Sequence, residues 1–176
     1  FLVCFCAAAW KCMARDAWIG WGFRHQFDRL HLVANNSRFL ILPEHHYPNL
    51  ASRVLGLCER RLVEDWRTRF GYPLLLLETF VDPQRFQGTI YQAANWRYVG
   101  DTRGFRRTRK GYGPAPDGAK RVFVRPLHAQ ARAHLSRPVL DPLYRHGAPK
   151  IMLSAEHMGS LAYSAESCHR FRCESC

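Results

Sequence analysis

The sequence predicts an α/β domain with a mixed, mostly antiparallel sheet, one long amphipathic helix and a short second helix. Three observations carry this expectation. Leu50, Val54, Cys58, Leu62 and Trp66 recur at every fourth position, the spacing of one helix face. Residues 74–77 (LLLL) form an unbroken apolar run of the kind a strand shows when both its faces are covered. Shorter apolar runs between Asn, Gly and Pro clusters supply further strands. An apolar fraction of 47%, with 13% aromatic residues, suffices for a packed core over 176 residues.

The opening run FLVCFCAAAW ends in small residues, but no basic stretch precedes it and it is too short to span a bilayer. It reads as a first buried strand or helix. Residues 17–23 alternate bulky side chains with glycine and read as a strand leading into a turn. Residues 31–34 and 38–42 are two apolar runs joined by Asn35-Asn36-Ser37, which predicts an antiparallel hairpin. Two prolines make 43–48 a loop. Asn49 is placed to cap a helix running to about Phe70, with Ala51, Leu55 and Leu57 widening its apolar stripe. Arg53, Arg60, Glu64 and Arg67 decorate the opposite side, and Gly71 supplies the stop.

A strand over 74–81, a short helix over 88–95 and a strand over 96–100 follow. Glu78 and Thr79 interrupt the first of these near its end and Asp82-Pro83 turns the chain, a place where ligands bind in open α/β sheets. Residues 101–120 read as a loop rich in glycine and proline, and 122–124 as a last strand. Beyond Pro126 the periodicity fades. The expected domain is 8–127, and 128–176 is expected to be an irregular tail, a candidate truncated continuation of a fused protein.

The formal net charge of +12 favours polyanionic partners. Arg103, Arg106, Arg107, Arg109 and Lys110 crowd the first half of the 101–120 segment, with Phe105 and Tyr112 interleaved. Such a segment can neutralise phosphates and stack on unpaired bases; the plainer reading is a solvated loop. Seven cysteines at irregular spacing do not read as a disulfide framework, so a cytoplasmic, non-membrane protein is expected. His45 and His46 are adjacent and point apart in extended chain, and Cys168, His169, Cys173 and Cys176 make only one half-site, so no metal is expected. No nucleophile–histidine pattern, phosphate-binding Walker loop or carboxylate cluster is present, which argues against an ATPase or a complete nuclease.

The predicted order of hairpin, loop, long helix, buried strand, short helix and strand resembles the GNAT acyltransferase core. The run NLASRVLGLCERRL is similar to the segment where that family opens the helix that holds a coenzyme A pyrophosphate. The run YQAANW, from Tyr91 to Trp96, resembles the stretch whose tyrosine protonates the leaving thiolate. That resemblance implies acetyl-CoA as cofactor, with Asn49, Leu50, Ala51 and Ser52 lining a phosphate site through their backbone N–H groups. It also implies Tyr91 as acid and Glu78 as base. The chain departs from the pattern at the cofactor loop, where residues 46–51 hold no glycine, and at Asn95, where glycine is usual. Read from the residues alone, Tyr91 is a core aromatic with a bonded hydroxyl, and Glu78 a strand-end carboxylate paired with Arg85 or Arg97.

A second resemblance covers more of the chain. The phrases RDAWIGW, LHLVANNSRFLILP, NLASRVLG, DWRTRFGY, LLETFVDPQRFQGTIYQAANW and VGDTRGF follow one another over residues 15–105, and VFVRPL closes the set. Together they strongly resemble the DruA-like family, which is associated with Druantia anti-phage defence and is also found beside or fused with transposases. The resemblance implies a defence- or transposon-associated protein that works with such partner proteins on foreign DNA or RNA.

Overall fold

The computed structural model describes residues 1–22, 25–44, 47–108, 111–114 and 118–145. The first apolar run builds β1 (Leu2–Ala7), in which Val3, Cys4 and Phe5 are all buried. Of the expected strand over 17–23, residues 17–19 instead end a helix, α1 (Met13–Ile19), and residue 23 lies outside the described residues. Arg15 and Ile19 lie four residues apart and are both buried, so the segment has the helical period; Gly20 then closes it with its N–H on the Asp16 carbonyl. A short α2 (His25–Arg29) and a 3-10 turn (Leu30–Leu32) lead into β2 (Val33–Leu40).

The hairpin expected at Asn35-Asn36-Ser37 does not form, because those residues lie inside the single strand β2. Cys4 pairs with Arg38 and Phe5 with Asn36, so Ser37 is an extra residue bulged out of the ladder. The Asn36 amide fills the bulge, donating to the Cys4 carbonyl at 3.1 Å and the Arg38 carbonyl at 3.2 Å. What looked like turn chemistry in the sequence is bulge chemistry.

The long helix α3 (Leu50–Phe70) forms where its period places it, burying Val54, Leu55, Leu62 and Trp66. Gly71 ends it with its N–H on the Arg67 carbonyl. Asn49 precedes it in the left-handed region with φ 59°, and its side chain makes no capping hydrogen bond. β3 (Leu76–Val81), α4 (Thr89–Ala93), β4 (Arg97–Asp101) and β7 (Arg121–Pro126) also fall close to their expected positions. The 101–120 segment does not remain a loop: β5 (Phe105–Thr108) and β6 (Gly111–Pro114) pair antiparallel as a separate two-stranded sheet.

The main sheet has the order β1-β2-β3-β7-β4. Only β2 and β3 run parallel, because α3 carries the chain back across the sheet between them. They pair over just three positions, Val33 with Leu76, Ala34 with Leu77 and Asn35 with Glu78. All other pairs are antiparallel. Along β3 the side chains alternate between two cores. Leu77 and Val81 join Leu55, Leu62, Trp66, Tyr91, Trp96 and Phe123 under α3 and α4. Leu76 joins Ile19, Leu32, Val33, Val124 and Leu135 on the other face.

Gly88 shows how closely the first core is packed. A Cβ there would lie 2.6 Å from Phe123 Cζ, and its φ of 80° already favours glycine.

The core does not end at Pro126. Past β7 the chain forms α5 (Ala131–Ser136) and a 3-10 turn (Pro142–Tyr144), and Ala131, Leu135, Leu140 and Tyr144 are buried in the second core. Three anchors hold this strap. Arg29, itself buried, donates to the carbonyls of Leu135, Arg137 and Pro138. Trp21 Nε1 donates to the Leu135 carbonyl at 2.7 Å, and a His31 ring nitrogen lies 2.9 Å from the Tyr144 carbonyl. The local periodicity of 131–144 is weak because its apolar residues answer to this groove rather than to one helix face. Residues 146–176, including the Cys168-to-Cys176 cluster, lie outside the described residues, as do His45 and His46.

Candidate functional site

Where β2 parts from β3, three polar side chains meet inside the first core. The Tyr91 hydroxyl donates to Asn36 Oδ1 at 2.8 Å, and the Thr79 hydroxyl donates to the Asn36 carbonyl at 3.0 Å. Tyr91 also packs against Trp96 and stacks on Phe123, with ring centroids 5.1 Å and 5.9 Å away. Burial raises the Tyr91 pKa, opposed by a hydrogen bond with Thr79. Its phenol therefore keeps its proton, with Asn36 as the acceptor.

Glu78 follows the strand's alternation onto the other face. Arg15 Nη1 donates to Glu78 Oε2 at 2.8 Å, and the Ala9 N–H donates to Oε1 at 2.7 Å. Neither charged side chain touches solvent. Burial raises the Glu78 pKa, while Arg15 and the Ala9 N–H pull against that rise. Burial likewise works against the Arg15 charge, but Glu78 and Asp16 outweigh it and raise the Arg15 pKa. Asp16 bridges Arg15 at 2.7 Å and accepts from Gln26 Nε2 at 2.9 Å, and the guanidinium lies 5.4 Å from the Trp21 ring. The sheet thus separates Tyr91 from Glu78. The partner of Glu78 is Arg15, not Arg85 or Arg97; Arg85 pairs with Asp82 at 3.6 Å.

Asn49, Leu50, Ala51 and Ser52 do share one place, a shallow groove of about 360 Å³ between the start of α3 and α4. The Leu50 N–H bonds the Tyr47 carbonyl at 3.2 Å, and the Ser52 hydroxyl donates to the Asn49 carbonyl at 3.1 Å. Glu59, deeper along α3, accepts from Trp96 Nε1 at 2.7 Å and from Arg125 Nε at 2.9 Å.

The basic residues belong to a hairpin arm. Thr102 and Lys120 close its base: the Thr102 N–H bonds the Lys120 carbonyl at 2.8 Å, and the Lys120 N–H bonds Thr102 Oγ1 at 2.9 Å. Gly104 then turns with φ 69°, and a Cβ there would press on the Gly118–Ala119 backbone at 3.1 Å. Arg103 and Phe105 are exposed at the start of the arm. Arg106 and Arg107 lie in β5, paired in register with Gly113 and Tyr112. Arg109 and Lys110, which connect the paired Thr108 and Gly111, lie outside the described residues.

Arg15, Glu59 and Arg125 carry no local signal in the sequence, and Thr79 is marked there only as a break in a strand. The polar run Asn35-Asn36-Ser37 marks Asn36 in the sequence, but as turn chemistry. Arg15, Glu59 and Arg125 are polar residues whose partners lie far away in the chain. Among the described residues no cluster of His, Cys, Asp and Glu suits a metal ion, and no helix is long and apolar enough to cross a membrane. Cys12 is a buried free thiol.

Fold and site together define a small mixed α/β domain with a cationic hairpin arm and a solvent-free ion pair beneath its sheet. The chain belongs to the DruA family: the family model described as Druantia protein DruA matches residues 2–110, from β1 into the arm. That membership makes it a component of the Druantia anti-phage type. No curated protein matches the chain.

Proposed function

We propose that this chain contacts nucleic acid through its arm, as a cytoplasmic defence component acting on foreign DNA or RNA with other defence-system or transposase proteins. The observation that carries the reading is the separate β5–β6 ribbon, joined to the main sheet by its base. From 102 to 116 the chain holds five cationic residues and no acidic one. A two-stranded ribbon fits the major groove of a duplex, and cationic side chains beside exposed aromatics suit an unpaired strand. Phe105, 59% exposed, is one such aromatic. The test is binding of duplex and single-stranded DNA across a salt series. Affinity should fall steeply with salt, and R106E/R107E should lower the slope of log K against log salt by about 2. Salt-insensitive binding, or none, sinks the proposal.

A second reading, acyl transfer from acetyl-CoA, is favoured by one observation: the parallel strands part after three pairs, with Tyr91 beside the gap. On this reading Asn49, Leu50, Ala51 and Ser52 hold the cofactor phosphates and Tyr91 is the acid, with Glu78 on the far face of the sheet. A melting-temperature rise with acetyl-CoA, absent in Tyr91→Phe and in Ser52→Glu, would support it; no rise in the unaltered chain would remove it.

A further inference from the structure

Next to the groove of the acyl-transfer reading, and sharing Ser52 with it, lies a second space that neither reading uses. A cleft of about 440 Å³ opens between α3 and the 93–95 segment. Small side chains make the room, Ser52, Gly56, Ala93 and Ala94, and three guanidiniums share the lining, Arg53, Arg60 and Arg125. The acid in that lining, Glu59, is nearly buried and both its oxygens are taken, one by Trp96 and one by Arg125. Arg125 is thereby compensated. Arg53 and Arg60 have no ion-pair partner among the described residues, although Arg61 next door pairs with Asp65 at 3.4 Å. Arg60 reaches back over the missing side chain of Gly56, within 3.9 Å of where a Cβ would stand. Ser52 and Ala93 line both this cleft and the neighbouring groove lined by Ile41, Tyr47 and Ile90. One end is cationic and the next is largely apolar with an aromatic ring.

That polarity matches one ligand chemistry, an anionic phosphate joined to a flat, poorly hydrated base. Guanidinium forks bind phosphate oxygens in pairs, and a space of this size is within the usual range for small-molecule sites. We propose that the cleft binds a nucleoside phosphate. The phosphates lie against Arg53 and Arg60, and the base lies toward Tyr47 and Ile90. The same chemistry is offered by a free nucleotide and by the phosphorylated end of a nucleic-acid strand.

The experiment is calorimetric titration of the full chain with ADP. Saturable binding is expected, weakened on the order of tenfold or more in R53E/R60E. Gly56→Leu should abolish it without changing any charge, because it fills the cleft from a helical position with no close neighbour but Arg60. Thermal melts show whether each variant is folded. A 5′-phosphorylated oligonucleotide that outcompetes its 5′-hydroxyl counterpart against ADP assigns the site to strand ends; no competition by either assigns it to free nucleotides. Both outcomes support the cleft, whereas equal displacement by both would mean contact with the strand backbone and count against it. R106E/R107E should bind ADP as the unaltered chain does, so failure of the arm and failure of the cleft are separable. The proposal is overturned by a flat isotherm to about 1 mM ADP, by binding that survives Gly56→Leu, or by binding lost with the arm variant.

Discussion

Glu78 and Arg15 meet at 2.8 Å across 63 residues of chain, each with no solvent-exposed side-chain surface. Through Ala9, which gives its N–H to Glu78 and its carbonyl to Arg15, this pair also pins the exit of β1 to β3. Two ions taken wholly out of water need their partners to stay charged without large penalty. Removing one partner should therefore cost more than removing both. Arg15→Met or Glu78→Gln is expected to lower stability by about 3–5 kcal/mol, and the double variant by less than the sum. Urea unfolding of the three variants measures this; additive losses would show that the two side chains are not coupled.

Gly88→Ala brings a Cβ to 2.6 Å from the Phe123 ring at a backbone angle that already opposes it. Phe123 is fully buried against Tyr91, so the ring has no free direction in which to move. A loss of about 2–4 kcal/mol is expected, from overpacking and left-handed strain together. Gly20→Ala is the control: it shares the positive φ, at 90°, but its Cβ would meet nothing within 4 Å. Equal losses at the two sites would remove the packing argument.

Cys12 gives stability a pH dependence of known sign. Burial pushes its thiol from 9.0 up to about 11. The folded chain keeps the proton through the range in which the unfolded chain loses it. The stabilisation is complete below pH 9.0 and is lost as pH rises through about 11. Its size is at most about 3 kcal/mol. Cys12→Ala should flatten the decline in unfolding free energy measured from pH 8 to 11; an unchanged slope would assign the decline to other groups.

Arg29 holds the strap formed by α5 and the turn at Pro142–Tyr144 through three carbonyls near the end of a helix, where a cation is favoured. Arg29→Met leaves those carbonyls without their donor and should cost about 3 kcal/mol or more. Amide exchange read by mass spectrometry should quicken over 131–144 before it quickens in α3. Uniform quickening would mean that the strap is not a separate unit.

Short-range pattern sufficed for α3, β3, α4 and β7, because each has a period or boundary that its own residues set. The four-residue stripe from Leu50 to Trp66, the LLLL run and Gly71 need no distant partner to be legible. The DruA phrases likewise name the family from linear order alone. Where the partner is distant, local composition misleads. Asn35-Asn36-Ser37 has turn composition, and only the pairing with β1 converts it into a bulge that presents Asn36 to Tyr91. Residues 17–23 look like an alternating strand and 131–144 lack a clear period, because Ile19 and Leu135 are buried in a core completed by β3 and β7.

The candidate site divides in the same way. The clustering of Arg103 to Lys110 was visible as composition, and the ribbon that carries part of it was not. Tyr91 and Glu78 were both singled out, yet whether they could act together was a matter of strand alternation and of which helix covers which face. By itself the sequence determined the family, the principal helix and the cationic character of one segment, all of which depend on local order. The tertiary structure alone decided that Glu78 is locked to Arg15, that Tyr91 answers to Asn36, and that Arg53, Arg60 and Arg125 share a cleft. Those facts depend on pairing and burial, where the free energy of a charged or polar group is set by neighbours the linear order does not reveal.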